Sequence, residues 1–151
     1  MIAPVDDGRC IACGPDAEGG LGMRFAARPD GDVEARLALP ARFAGWRGIA
    51  HGGIVAMLLD EAMAYAAGSR GVRGVTAELT LRFRDPVPTE VPLAVRGRVL
   101  WARRGVLGVA ADVFGLAAGV ERLLARGEGR FVACGSVEPG DRLASVVADH
   151  G

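Results

Sequence analysis

The sequence predicts an α+β domain in which one long helix packs on a predominantly antiparallel sheet. Three observations carry that prediction. Only one segment, residues 52–67, is long and apolar enough to be a buried helix. The segments around it alternate polar with apolar residues, or are bounded by turn signals, in the manner of strands: two before it and four after it. The whole chain has 151 residues, half of them apolar, which suits one ordinary domain with its own core. A lone helix in such a pattern lies on one face of the sheet.

The elements follow in order. Residues 1–20 are rich in Gly, Asp and Cys and read as an N-terminal arm. Residues 21–28 form a first strand, PDGD turns the chain, and VEARLALP alternates Val33, Ala35, Leu37 and Leu39 against Glu34 and Arg36. ARFAGWRGIA is an irregular connection. The helix starts behind His51-Gly52-Gly53 and ends in GSRGVRG, with Gly68 near the C-cap and Arg70 beyond it. In VTAELTLRFR, Ala77, Leu79, Leu81 and Phe83 alternate with Glu78, Thr80, Arg82 and Arg84, as a half-buried strand does. Asp85-Pro86-Val87-Pro88 breaks it. Residues 91–102, 105–117 and 121–134 are three further strands, with Arg103-Arg104-Gly105 at the first turn and a Gly-Ala-rich stretch at the second. GVERLLARGEG consists largely of helix formers, but its place between strands and its run into FVAC favour a strand. The polar stretch from 136 reads as a flexible tail. The expected organisation is therefore an arm over 1–20, a domain of about six strands and one helix over 21–135, and a tail over 136–151.

That helix is apolar nearly all round: Ile54, Val55, Met57, Leu58, Leu59, Met63 and Tyr65. Such a helix is buried on more than one side. One sheet covers one side, so a second subunit is expected on the other.

Composition narrows the function. Eighteen basic and 18 acidic residues give no net charge, which argues against a nucleic-acid partner. All 18 basic residues are Arg, and Lys, Asn and Gln are absent, so a lysine Schiff base and an Asn or Gln oxyanion donor are excluded. With abundant Ala, Gly and Val, this bias fits a GC-rich bacterial genome. The start MIAPVDDGRC has no secretion signal, the longest apolar run is broken by Asp60 and Glu61, and three cysteines is an odd number. Together these point to a cytoplasmic protein without a membrane span.

The helix carries the chemistry. A helix N-terminus offers unpaired N–H groups and a partial positive charge, and glycines there let a ligand come close. Gly52 and Gly53 thus either seat an anion or a developing oxyanion, or only relieve crowding against the sheet. Asp60 and Glu61 either reach solvent at a helix edge or sit in an apolar site as a general base. His51 and Gly52 are about 13 Å and 12 Å along the axis from Asp60. Within one chain they cannot act on one carbonyl. Two antiparallel helices would bring the Gly52 end of each beside Asp60 of the other, giving two shared sites per dimer.

GIAHGGIVAMLLDEA resembles the HGG-x6-D/E signature of the hotdog-fold acyl-CoA thioesterases, in the branch that includes the phenylacetate-pathway enzymes. CIACGPDAEGGLGMRF is similar to the Cys-x-x-Cys-Gly…Gly-Leu opening of a subgroup, and VTAELTLRFRDPVP resembles the strand and Pro turn after the helix. The resemblance implies a hotdog fold: a curved antiparallel sheet wrapped around one central helix. It also implies a homodimer with a continuous sheet, often a homotetramer, and hydrolysis of an acyl-CoA to a carboxylic acid and CoA with no cofactor. Asp60 then takes the catalytic carboxylate position, where it activates water or attacks directly. Gly52 takes the backbone donor to the carbonyl, and His51 helps shape that end. Thr76 falls where some members hold the water with Ser or Thr; as one of only three threonines it is also readable as an ordinary strand residue. Gly53 and Glu61 are nearby candidates for substrate binding, Glu61 as a supporting or solvent-facing group. Some relatives carry Asn six positions before the histidine; here Gly45 stands there, which leaves backbone N–H groups or water to hold the oxyanion.

CoA phosphates need cations, and Arg82, Arg84, Arg103 and Arg104, with Arg70 and Arg73 at the helix end, supply the bidentate fork that suits phosphate. Cys10 and Cys13 form a lone Cys-x-x-Cys. A zinc site normally needs four ligands, and only Cys134, His51 and His150 remain as soft donors, so no metal is expected. G-x-S-x-G is absent, which removes a serine hydrolase. A hotdog-fold enoyl-CoA hydratase or dehydratase and a non-catalytic acyl-CoA-binding module remain as alternatives.

Overall fold

The computed structural model describes residues 4–147. A six-stranded antiparallel sheet in the order β1-β2-β6-β7-β8-β5 is formed by β1 (Phe25–Ala27), β2 (Val33–Ala38), β5 (Val72–Phe83), β6 (Pro92–Arg103), β7 (Val106–Gly115) and β8 (Arg122–Ser136). The helix α1 (Gly52–Ser69) packs against β2 and β5 to β8. This is the predicted fold class: one long helix against one curved antiparallel sheet. Register shifts at Arg73/Gly74, Thr76/Glu78, Val99/Trp101 and Val113/Phe114 mark bulges. Each inserts a residue on one strand, bends it and deepens its twist, and so lets the sheet wrap the helix.

The β6–β7 turn falls at Arg104 and Gly105, both with positive φ (50° and 75°), the backbone that two-residue hairpin loops require. The stretch expected to be irregular contains a single 3-10 turn, Ala41–Phe43, and a small two-stranded ribbon, β3 (Ala44–Trp46) and β4 (Ile49–Ala50). This ribbon leads straight into α1. The helix runs two residues further than expected, and β5 starts at Val72 rather than 75, because Gly71 takes the positive φ that turns the chain at once.

Leu58, Leu59 and Met63 of α1 meet Val33, Leu93, Val95, Val109 and Phe131 of the sheet in one core. At Gly97 the helix backbone lies so close that a Cβ would collide with the carbonyl of Ala62. The other side of α1 is covered partly by this chain itself. Ala12 and Cys13 of the arm, Met23 just after it, and Leu143 and Val146 of a 3-10 turn over Arg142–Val146, are buried in the same core. Two sequence expectations are corrected here. The second cover over α1 is not left wholly to another subunit. The described part of the expected flexible tail is ordered: Asp141 caps the turn through Leu143 N–H (3.1 Å) and pairs with Arg73 (2.5 Å). The tail's last residues, 148–151, and residues 1–3 of the arm lie outside the described residues. No helix among the described residues is long and apolar enough to cross a membrane.

Candidate active site

The N-terminal half of α1 and the strand β5 are partly uncovered. His51, Gly52 and Gly53 are exposed, and Ala56, Met57, Asp60 and Ala64 are half-buried in a stripe along the helix. β5 is an edge strand, paired only with β8, and Val75 and Phe83 (52% exposed) stand out from it. Trp46, on the ribbon, is 80% exposed.

At this edge Thr76 Oγ1 donates to Asp60 Oδ1 at 2.7 Å. The contact depends on a bulge. Simple alternation would put Thr76 on the outer face with Glu78, Thr80 and Arg82, opposite Leu79 and Leu81, which point toward Met63. The register shift between Thr76 and Glu78 leaves Ala77 as the extra residue and turns Thr76 to the helix side, opposite the buried Phe131. The sequence placed both residues in the site, but the pattern alone would have turned Thr76 away from Asp60.

His51 is the N-cap of α1, and its Nδ1 accepts the Gly53 N–H at 2.9 Å. An accepting Nδ1 places the ring proton on Nε2. Ile54 and Val55 N–H both reach the His51 carbonyl. Gly52 N–H is then the one donor of the first turn without an intramolecular partner among the described residues. Gly53 N–H is committed to His51 and not offered to a ligand. Crowding does not explain Gly52: a Cβ there would meet nothing nearer than Phe83 Cζ at 3.9 Å. Gly45, six positions before His51, does touch it, with a Cβ position 3.2 Å from His51 Cα. A side chain at 45 would press on His51, so glycine lets the ribbon pack closely against the start of α1.

Of the four arginines proposed for phosphate, the structure groups two. Arg82 and Arg84 line a cavity of about 390 Å³ with Arg126, Thr80, Leu123 and Glu128. Arg103 and Arg104 sit at the β6–β7 turn, beyond the opposite end of β5, since Val106 pairs Val132 and Val132 pairs Val75. The seven residues from Val75 to Arg82 span about 23 Å of strand. All four are exposed, and none is held in an ion pair among the described residues. Arg73 is not available in that way, being paired with Asp141.

Glu61, next to Asp60, does not face solvent: it is 7% exposed and lies under the arm, with Cys10 Sγ 3.6 Å from its Oε1. Burial pushes the Cys13 thiol well above the usual range, and the Glu61 carboxylate adds to the effect. Tyr65, stacked on Phe25, is pushed up for the same first reason, burial. The burial of Glu61 had no signal in the sequence, since it depends on where the arm lies.

Residues 47–116 match the family model of the thioesterase superfamily. That match spans a little under half of the chain and marks a similarity to the superfamily. Solved structures agree in fold across most of its length. A crystallised thioesterase superfamily protein is 29% identical, with a TM-score of 0.73 over 82% of this chain; the chain spans 63% of that protein's length. A Bacillus halodurans protein crystallised with CoA is 26% identical, with a TM-score of 0.63 over 76% of this chain and 75% of its own. The E. coli PaaI protein of the phenylacetic acid degradation operon is 20% identical, with a TM-score of 0.69 over 78% of this chain and 83% of its own, and so shares the fold. No curated protein matches this chain by sequence.

Proposed function

We propose that this protein hydrolyses acyl-CoA thioesters at a site shared between two copies of the chain. The observation that carries the reading is the Asp60–Thr76 pair at 2.7 Å, standing on a partly uncovered helix face beside an unpaired sheet edge. The other needed group, the free N–H of Gly52, lies about 12 Å away along the helix axis. Two copies joined along β5, with their helices antiparallel, bring Gly52 of one beside Asp60 of the other. The sheet then continues across the dimer, and its exposed edge amides are paired. Exposed Leu100 and Trp101 on β6 offer a separate apolar face on which two dimers can associate.

In this arrangement Thr76 holds one carboxylate oxygen of Asp60 and leaves the other for water. Asp60 takes a proton from that water as its oxygen attacks the thioester carbon. The carbonyl oxygen, now an anion, is held by the Gly52 N–H. Collapse breaks the C–S bond, and the CoA thiolate recovers the proton from Asp60. Direct attack by Asp60, followed by hydrolysis of the anhydride, uses the same groups. Arg82 and Arg84, in their cavity, suit the CoA phosphates, and the CoA-bound Bacillus halodurans relative supports that ligand class. Trp46, Met57 and Phe83 offer apolar surface to the acyl group.

A panel of acyl-CoAs of varied length and aromaticity, with free thiol as the readout, tests the reading. Thiol release that Asp60→Asn abolishes without loss of fold supports it. Binding of acyl-CoA with no thiol release would make the protein a binding module, and loss of the double bond from an enoyl-CoA would make it a hydratase. His51 argues against the hydratase, because its Nδ1 is committed to the helix cap.

A further inference from the structure

The thioester chemistry uses one face of α1 and leaves a second cluster under the arm unexplained. Glu61 is one residue on from Asp60, about 100° around the helix. It faces Cys10 and Cys13, and one donor atom from each of the three lies within 4.8 Å of the other two. Cys13 is 5% exposed. The sequence counted two thiols at motif spacing and no further soft donor near them. The third donor is a carboxylate 51 positions away, which only the folded arm brings into place.

We propose that Cys10, Cys13 and Glu61 form a zinc site, with solvent from the adjoining cavity in the fourth position. The spacing suits the ion. Zn–S bonds of about 2.3 Å and Zn–O bonds of about 2.1 Å at a tetrahedral angle put neighbouring donors about 3.6–3.8 Å apart. Cys10 Sγ and Glu61 Oε1 are 3.6 Å apart. Two thiolates select zinc over magnesium or calcium, which prefer oxygen donors.

The turn that presents the thiols is built for close approach. Gly14 N–H donates to the Cys10 carbonyl at 2.7 Å, and a Cβ at Gly14 would collide with Cys10 N and the Gly8 carbonyl. The arm is fixed in turn by Leu21 N–H to the Ile11 carbonyl (2.8 Å) and Met23 N–H to the Ala12 carbonyl (2.9 Å). Two thiolates and a carboxylate carry three negative charges, which Zn²⁺ largely offsets, and the Arg142 guanidinium, itself shared with Asp6 at 3.6 Å, stands nearby. A cavity of about 390 Å³, lined by Asp6, Cys13, Tyr65 and Arg142, gives the ion a way in and the solvent ligand room. The ion would tie the arm to α1 beside the carboxylate proposed for catalysis, yet the site stands independently of the thioester reading.

Cobalt substitution tests it without an activity assay. The full chain, reduced and stripped with a chelator under anaerobic conditions, is titrated with Co²⁺. The expected result is one equivalent per chain, a sulfur-to-cobalt charge-transfer band, tetrahedral visible bands, and bleaching by equimolar Zn²⁺. Cys13→Ser loses the stoichiometric band, Glu61→Gln keeps the charge transfer but binds about tenfold or more weakly, and Cys134→Ser titrates like the parent. Folded parent protein that takes up no cobalt, or a band that Cys13→Ser retains in full, overturns the site. So does closure of Cys10 and Cys13 to a disulfide in protein that carries no metal when reduced.

Discussion

The role assigned to Gly52 N–H can be isolated by Gly52→Pro. Gly52 is the first residue of α1, where a proline ring meets no preceding turn and its missing N–H breaks no helix bond. His51, before it, has φ −57° and ψ 137°, the extended backbone that a residue before proline prefers. A Cβ at 52 meets nothing closer than 3.9 Å. The substitution therefore deletes one donor and little else. The melting temperature should hold or rise, since a compatible proline adds about 0.4–1 kcal/mol through the unfolded chain. If that N–H holds the oxyanion, kcat for thiol release falls by about 10²–10³, or about 2.7–4 kcal/mol. The same variant tests the shared site. Mixed with Asp60→Asn and allowed to exchange subunits, half the dimers carry one copy of each, and each of those has one intact site of two. About a quarter of the parent activity then returns from two inactive proteins. Parent kcat in folded Gly52→Pro refutes the donor role, and no recovery on mixing refutes the sharing.

Two further predictions concern single side chains. Thr76→Val removes the 2.7 Å bond to Asp60 at nearly constant shape; a bond to a charged group of about 1.5–3 kcal/mol corresponds to a kcat loss of roughly 10–100-fold, and unchanged steady-state rates would make Thr76 an ordinary strand residue. Glu34 is held at about 2 because, although burial raises its pKa, hydrogen bonds and charge from Arg36 and Arg96 outweigh that effect. Its folded pKa is thus depressed, so its contribution is complete above about pH 4.5 and lost as pH falls toward 2. After screening this is about 1–2 kcal/mol, and urea unfolding across that range should show a flatter pH dependence in Glu34→Gln.

The fold was legible because its signals are local. The apolar run after His51-Gly52-Gly53 has no strand-like alternative, and the alternation through Leu79 and Leu81 fixes a face. The Arg-Arg-Gly turn supplies the backbone its hairpin needs. What escaped was non-local. Leu143 and Val146 sit in a polar stretch, and they count as core only because α1 is there to receive them. Gly71 and Gly74 read as breakers, yet β5 runs through Gly74 beside a bulge. At the site, Asp60 and Gly52 could be picked out from the helix itself, and their separation already argued for two chains. The Thr76 contact needed a bulge that no alternation reveals, and Glu61 meets its thiols only through the packing of the arm.

The bare border of β5 carries a hazard in any copy whose edge stands unpaired. A newly made copy presents twelve residues of strand whose outer amides and carbonyls seek a partner, and any extended foreign segment of suitable shape could zip onto them. Glu78 and Arg82 on that strand make casual annealing unfavourable. Charge on this rim is the kind of gatekeeper that edge strands use, and neutralising it should favour clumping.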